Sequence, residues 1–214
     1  MKKVLLNGKP FTPYFKKHFY QPLLTPNGNN PVRNRADGFL KIFELLDAMQ
    51  KTHYKILETG CMRADHGSMC FGDDGCSTYI FDKFVNEQYG QVVSVDINQE
   101  NVNYTRQLVS PKTQVICSDS IPYLAAITEE QKFDLIYLDS YDILKSDPYP
   151  SQHHHLQELR AVMKNTGRGT IICIDDNDAF FDGGVVGKGT LCKEEMKDAT
   201  LIHNGYQIAW QFDT

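Results

Sequence analysis

Short hydrophobic runs alternate with amphipathic stretches along most of this chain. The runs at 55–59, 92–97, 113–119, 133–139 and 169–175 predict five strands. The last two, FDLIYLD and GTIICID, are hydrophobic at nearly every interior position. Such runs need cover on both faces, which is typical of the strands of a parallel sheet.

Helical patterns fill the gaps between these runs. An apolar stripe follows Arg35, and further helices are predicted over 77–86, 100–108, 121–127, 151–164 and near 191–199. Because strands and helices alternate, we predict an α/β fold with a mostly parallel sheet and right-handed crossovers. The Asn204-Gly205 pair predicts a closing hairpin, which adds an antiparallel edge to the sheet.

The first 34 residues depart from this pattern. They are rich in proline, asparagine, lysine and aromatic residues, and they include the turn-forming sequence TPNGNNP at 25–31. We therefore predict an N-terminal extension or lid over residues 1–34. Residues 35–214 are predicted to form one domain, since a chain of 214 residues can bury a single core.

Charge and composition exclude several classes of protein. A net charge of −5 argues against a nucleic-acid partner, and no apolar stretch has the length of a membrane span or a signal peptide. The six cysteines form no CxxC pair, and Cys117 and Cys173 lie in predicted strands, so we expect reduced thiols and a cytoplasmic location. A zinc site from the three cysteines within 61–76 and His66 is a weaker alternative, because their spacings are irregular.

Carboxylates stand at the ends of the two most hydrophobic runs. Asp139 ends the fourth run, and Asp175 and Asp176 end the fifth. Because parallel strands place their carboxyl ends at one edge of a sheet, we predict that these acids form a site for a small hard cation or for acid–base chemistry. The alternative is that Asp175 and Asp176 only cap the following loop. Asn177 is a further candidate oxygen ligand.

Other polar residues near these strand ends are candidates for catalysis. Asp142 is predicted to be a base or a partner of the acidic site. His153, His154 and His155 begin the helix between the two runs, but three consecutive residues cannot share one helical face. We select His154 or His155 as a general base, with packing at the helix entry as the favoured alternative for each. Lys188 lies in a glycine-rich loop and is expected to be a flexible, solvated side chain.

The first half of the chain has the pattern of a nucleoside site. Its candidate cofactor residues are Glu58, Gly60, Gly75, Ser77, Thr78, Asp96, Ser118 and Asp119. Glycines allow close approach of the backbone to a ligand, and Asp96 ends a strand where a carboxylate can accept hydrogen bonds from two ribose hydroxyls. Asp96 follows Gly60 by 36 residues and Gly75 by 21, against about 20 in the dinucleotide fingerprint. The loop therefore contains an insertion, or its second half binds the ligand.

These segments resemble the class I S-adenosylmethionine-dependent methyltransferases. The matching segments are ILETG, VVSVDIN, VICSDS, FDLIYLD and IICIDDND, and the resemblance extends from about Arg35 to Phe212. The tight GxG turn of the family is replaced here by GCMRADHG and an extra loop. The resemblance implies a Rossmann-like, seven-stranded, mostly parallel sheet with an antiparallel C-terminal strand, helices on both faces, and S-adenosylmethionine as cofactor.

Within this class, LDSYD and IDDND resemble the metal-dependent O-methyltransferases that act on sugar hydroxyls of macrolide-type natural products. The resemblance implies that Asp139, Asp175 and Asp176 hold Mg²⁺, with Asp139 also beside the cofactor and the reacting groups. A divalent cation can lower the pKa of a hydroxyl and orient it. The expected function is therefore Mg²⁺-assisted methylation of a hydroxyl on a small molecule or sugar.

Two other functions stay open at this point. A nicotinamide-dependent enzyme could use the same type of fold, but the short GxGxxG motif is missing and the fifth strand ends in acids. A non-catalytic nucleoside-binding module would account for the irregular first motif. The sequence does not decide the oligomeric state, and a homo-oligomer is compatible with it.

Overall fold

A computed structural model describes residues 9–24, 34–66, 69–144, 146–178 and 186–213. One seven-stranded sheet forms its centre. The sheet strands are β1 (Tyr54–Thr59), β2 (Gly90–Asp96), β3 (Thr113–Cys117), β4 (Leu135–Leu138), β5 (Ile171–Ile174), β8 (Thr200–Asn204) and β9 (Ile208–Gln211). A separate two-stranded ribbon consists of β6 (Asn177–Asp178) and β7 (Val186–Gly187).

Seven α-helices accompany these strands in the described part of the chain. They are α1 (Phe11–Phe15), α2 (Gln21–Leu24), α3 (Ala36–Met49), α4 (Ser77–Gln88), α5 (Gln99–Leu108), α6 (Ser120–Ala126) and α7 (Tyr149–Val162). None of the helices in these segments combines the length and the apolar character that crossing a bilayer requires.

The strand order is β3-β2-β1-β4-β5-β9-β8. The first five strands in this order are parallel, and β9 runs antiparallel to both of its neighbours. The predicted α/β fold with an antiparallel C-terminal strand is thus confirmed. The direction of winding reverses between β1 and β4, and an open sheet binds ligands outside the carboxyl ends of its strands at such a point.

Burial explains why the two most hydrophobic runs form central strands. Every residue of β4 and β5 is fully buried, and apolar helices cover the sheet on both sides. One core layer packs α3 and α4 against the sheet, and the other packs α6 and α7. This two-sided cover fixes the strand ends that carry the acids.

The described part of the predicted N-terminal extension is helical and packs onto the domain. Phe11, Phe15 and Phe19 are buried against α3 and α4 in the first core layer. The backbone N–H groups of Phe11 and Thr12 donate to the Asp47 carboxylate at 2.9 and 2.8 Å. Residues 1–8 and 25–33 lie outside the described residues, so the division of the chain at residue 34 stays a prediction.

One predicted helix is absent. In place of a helix over 191–199, the chain forms a short 3₁₀ turn at Thr190–Cys192, and further turns follow it. A helix of nine residues is marginal because few hydrogen bonds offset the cost of its first turn. The predicted hairpin is present in β8 and β9, and its loop holds the three residues 205–207.

Candidate cofactor cleft and carboxylate cluster

A cleft of about 760 Å³ opens at the carboxyl ends of β1, β2 and β4. Eight acidic residues line it, against two arginines, Arg35 and Arg63. The acids are Asp65, Asp73, Asp74, Asp96, Glu100, Asp139, Asp142 and Asp176. Such a lining favours a ligand that carries positive charge and disfavours one that carries phosphates.

Gly60 allows the floor of this cleft to form. Its φ of +81° lies in the left-handed region, and a Cβ there would come within 2.4 Å of the carbonyl oxygen of Asp139. A side chain would therefore separate β1 from β4. The Gly60 N–H donates to the carbonyl of Val95 at 2.8 Å, which ties the loop to β2 as well.

Asp96, a cofactor-site candidate from the sequence, lines the cleft together with Gly60. Its Oδ2 accepts from the N–H of Cys61 at 3.0 Å, and its Oδ1 accepts from the N–H of Asn98 at 2.7 Å. The next residue, Ile97, also lines the cleft and is 75% exposed. This edge thus combines an oriented carboxylate with an apolar surface.

Glu58 has a different place from the predicted one. It is fully buried, and its carboxylate accepts from the hydroxyls of Ser77, Thr78 and Ser94 at 2.5, 2.7 and 2.5 Å. Burial raises the Glu58 pKa to about 7, against the opposing effect of these hydrogen bonds. Of Glu58, Ser77 and Thr78 only Ser77 lines the cleft. Glu58 therefore ties α4 to β1 and β2 beneath the site.

Three more sequence candidates lie away from the cleft lining. Gly75 has a φ of +75°, and a Cβ there would meet Cδ of Arg35 at 2.8 Å, so this glycine makes room for the arginine. Asp119 is exposed and caps α6 by accepting from the N–H of Ile121 at 3.1 Å. Ser118 donates its backbone N–H to the carbonyl of Asp96 at 3.0 Å.

Asp139, Asp175 and Asp176 do come together, and we call them the carboxylate cluster. Arg35, whose role the sequence analysis missed, reaches into it from the start of α3. Its Nε lies 2.6 Å from Oδ2 of Asp175, and one terminal nitrogen lies 2.9 Å from Oδ1 of Asp176. Both Arg35 and Asp175 are buried. Removing one partner of such a buried ion pair leaves an uncompensated buried charge, which strongly destabilises the folded protein.

Lys188 is the second cation of the cluster. Its Nζ lies 2.5 Å from Oδ1 of Asp139 and 2.9 Å from Oδ2 of Asp176. The expectation of a solvated loop lysine is wrong, because Lys188 is fully buried. Although burial opposes its charge, Asp139 and Asp176 raise the pKa of Lys188 well above its usual range. The hydroxyl of Tyr206 also donates to Oδ1 of Asp176.

The carboxylate cluster as arranged does not fit a magnesium ion. The Lys188 ammonium lies between Asp139 and Asp176, and Arg35 holds the outer oxygens of Asp175 and Asp176. Within the described segments, no group of three or more acidic, histidine or cysteine side chains is placed to hold a metal ion. Asn177, the alternative ligand, instead donates its amide to the carbonyls of Ile174 and Asp175.

The two candidate histidines do not line the cleft. His155 is fully buried, and its Nδ1 lies 2.7 Å from the carbonyl of Ser151. Its burial excludes direct contact with a substrate in the cleft, so the prediction of a catalytic base at His155 is wrong. The Nε2 of His154 lies 3.2 Å from the Ser120 hydroxyl and 3.3 Å from the buried carboxylate of Glu158. His154 therefore packs from α7 against α6.

Burial lowers the pKa of His155 from 6.5 to about 4. Between these values the unfolded chain binds a proton that the native protein does not bind. The free energy of unfolding should therefore fall as the pH falls from 6.5 towards 4, by roughly 1.4 kcal/mol per pH unit from this group. We expect His155→Gln to remove this slope in urea unfolding measured across that range, whereas His153→Gln, at an exposed position of the same helix, should retain it. Equal slopes in both variants would contradict the assignment.

Asp142 lies at the mouth of the cleft. Its carboxylate is 59% exposed, and its Oδ1 accepts from a terminal nitrogen of Arg63 at 2.5 Å. Arg63 comes from the loop after β1, and its Nε also lies 3.4 Å from Asp74. The arginine thus joins the loop after β1 to the loop after β4 and holds the Asp142 carboxylate by one ion pair.

Several solved methyltransferase structures share this fold. No protein-family model and no curated protein sequence matches the chain. A structure of MycE methyltransferase from the mycinamycin pathway, in complex with Mg, SAH and mycinamycin VI, aligns over 96% of this chain and 54% of its own, with 13% identity and a TM-score of 0.62. This chain has the class I methyltransferase fold. It spans about half the length of the MycE chains that it matches.

Two further structures share the class I methyltransferase fold over most of their own length. The apo structure of CalS11, a TDP-rhamnose 3'-O-methyltransferase of calicheamicin biosynthesis, aligns over 99% of this chain and 91% of its own, with 14% identity and a TM-score of 0.57. A methyltransferase from Geobacter sulfurreducens aligns over 100% and 91%, with 10% identity and a TM-score of 0.52. Together with the strand order, they support the fold at low sequence identity.

Proposed function

We propose that this protein is an S-adenosylmethionine-dependent methyltransferase that acts on a hydroxyl of a small molecule or sugar. The observation that carries the proposal is the acid-lined cleft at the reversal point of a class I methyltransferase sheet, with Asp96 and Gly60 side by side in it. Structures with this fold include MycE, solved with Mg, SAH and mycinamycin VI, and CalS11, a TDP-rhamnose 3'-O-methyltransferase. These neighbours favour a hydroxyl group as the acceptor of the methyl group.

The residues around Asp96 suit an adenosine. A strand-end carboxylate can accept hydrogen bonds from both ribose hydroxyls, and the two backbone donors to Asp96 already orient it. Exposed Ile97 offers an apolar surface for the adenine ring. The acidic lining complements the sulfonium charge of S-adenosylmethionine, because opposite charges attract strongly in a cleft with low-dielectric walls.

Methyl transfer needs the acceptor oxygen in line with the carbon–sulfur bond and a group to take its proton. We assign that group to Asp142, since its exposed carboxylate lies at the mouth of the cleft and is oriented by Arg63. As the oxygen–carbon bond forms, the carbon–sulfur bond breaks toward sulfur and the hydroxyl proton passes to the carboxylate. No magnesium step enters this proposal, because the Lys188 ammonium lies between Asp139 and Asp176.

The cleft also bears on the nicotinamide alternative. A dinucleotide carries a pyrophosphate, and eight acids against two arginines would repel it. Isothermal calorimetry with S-adenosylhomocysteine and with NADH tests this directly. The proposal requires binding of the first ligand and weaker or no binding of the second, and binding of NADH alone would overturn it.

The assignment of Asp142 predicts a selective defect. Asp142→Asn keeps the shape of the side chain and removes the proton acceptor, so we expect S-adenosylhomocysteine affinity within about twofold of wild type and turnover reduced roughly 100-fold or more. Turnover is measured as transfer of a labelled methyl group to a set of glycosides and polyketide alcohols. An active Asp142→Asn variant would show that another group takes the proton.

A further inference from the structure

The structure assigns Lys188 the part of a built-in cation: we propose that its ammonium occupies the carboxylate cluster in place of a divalent metal ion. The Nζ bridges the ends of two neighbouring strands, with Asp139 after β4 and Asp176 after β5. A divalent ion held by Asp139 and Asp176 would compete with the ammonium for these carboxylates. The ammonium and the metal ion are thus alternative occupants of one position.

The position of Lys188 is fixed by the backbone on both sides. A Cβ at Gly187 would lie 2.3 Å from Cα of Asn177, and a Cβ at Gly189 would lie 2.8 Å from Cγ2 of Ile208. A side chain at Gly187 would clash with backbone, and one at Gly189 would require neighbouring side chains to shift. The N–H of Gly189 also donates to Oδ1 of Asn177 at 2.9 Å. The Lys188 N–H donates to the carbonyl of Asp176 at 3.2 Å. The turn therefore holds this lysine against the cluster.

Burial and charge make the exchange unfavourable. Lys188 is fully buried, so withdrawing its ammonium would leave Asp139 and Asp176 without a cation on that side. Keeping the ammonium and adding a metal ion would place two cations within a few ångströms of each other, at a high electrostatic cost in a medium of low dielectric. Either way, the wild-type cluster resists a divalent ion.

Removal of the ammonium should reverse this preference. Lys188→Ala frees Oδ1 of Asp139 and Oδ2 of Asp176 from the ammonium. Two carboxylates on neighbouring strand ends can bind Mg²⁺ or Mn²⁺, because these ions accept carboxylate oxygens and keep several waters as their other ligands. The variant should therefore gain a metal site that the wild-type protein lacks. If the wild-type protein is the proposed methyltransferase, on which this point rests, EDTA should not reduce its turnover.

The test is titration of Mn²⁺, followed by the loss of its free-ion electron paramagnetic resonance signal. We expect Lys188→Ala to bind one Mn²⁺ at least roughly 100-fold more tightly than wild type, and Lys188→Ala/Asp139→Asn to lose that gain. Wild type that binds one Mn²⁺ tightly, and loses it in Asp139→Asn, overturns the proposal even if Lys188→Ala does not fold. A folded Lys188→Ala variant without the gain also overturns it.

The proposed methyltransferase function is tested separately from this inference. Calorimetry with S-adenosylhomocysteine in EDTA reports on the cofactor cleft, and Mn²⁺ titration reports on the carboxylate cluster. Wild type that binds S-adenosylhomocysteine but also binds Mn²⁺ at the cluster keeps the function and refutes the built-in cation. Wild type that binds neither ligand refutes the function alone.

Discussion

Asp96→Ala is expected to weaken binding of S-adenosylhomocysteine by roughly 100-fold or more, about 2.7 kcal/mol. The substitution would remove the carboxylate that is proposed to accept charge-assisted hydrogen bonds from the two ribose hydroxyls. It would also release the N–H groups of Cys61 and Asn98, which hold the two cleft loops in their present positions. Calorimetry with S-adenosylhomocysteine measures the effect.

Two comparisons make this result specific. Asp198→Ala removes an exposed turn carboxylate and should leave the affinity unchanged. Asp119→Ala tests the sequence prediction that Asp119 binds the cofactor. The structure places Asp119 at the N-cap of α6 and outside the cleft lining, so this variant should also keep its affinity. Circular dichroism confirms that each variant is folded. Normal affinity in folded Asp96→Ala would refute the ribose assignment.

Arg35→Ala is expected to have the largest effect on stability, a loss of about 3–5 kcal/mol in the free energy of unfolding. The guanidinium is the buried partner of Asp175 and Asp176, at 2.6 and 2.9 Å. Without it, the three carboxylates of the cluster would have Lys188 as their one close cation within the described segments, and Asp175 among them is fully buried. Uncompensated buried charge is among the costliest changes that a single substitution can make.

Urea unfolding of Arg35→Ala and Arg160→Ala measures this effect against a surface pair. Arg160 binds Glu195 at 2.6 Å, but their side chains are 60% and 39% exposed, so its loss should cost about 1 kcal/mol or less. Each variant removes one arginine, but Arg35→Ala loses two ion pairs in a buried site and Arg160→Ala loses one at the surface. Similar losses in the two variants would show that the cluster does not depend on Arg35.

The placement of acids at the sheet edge shows how much of the site the hydrophobic pattern alone predicts. The runs that form β4 and β5 are buried on both faces, and this double burial is visible in the sequence as a lack of alternation. Their carboxyl ends then had to meet, which brought Asp139 close to Asp175. Asp96 beside Gly60 follows from the same rule applied to β1 and β2.

The histidines show where periodicity stops being informative. A helix of 3.6 residues per turn requires that consecutive histidines point in different directions, but it does not say which one points inward. The packing of α7 on the sheet turned His155 into the core and left His153 exposed. Asp142, another candidate from the sequence, lines the cleft where the two histidines do not.

The sequence by itself determined the alternation of strands and helices, the mostly parallel sheet, and the strand ends at which polar side chains lie. Only the tertiary structure decided which cations meet those ends. Arg35 lies 140 positions from Asp175, and Lys188 is separated by 49 from Asp139. Burial patterns are local and leave a periodic trace in the sequence. Ion pairing across the fold depends on turn geometry, here a turn clamped by Gly187 and Gly189, and leaves no such trace.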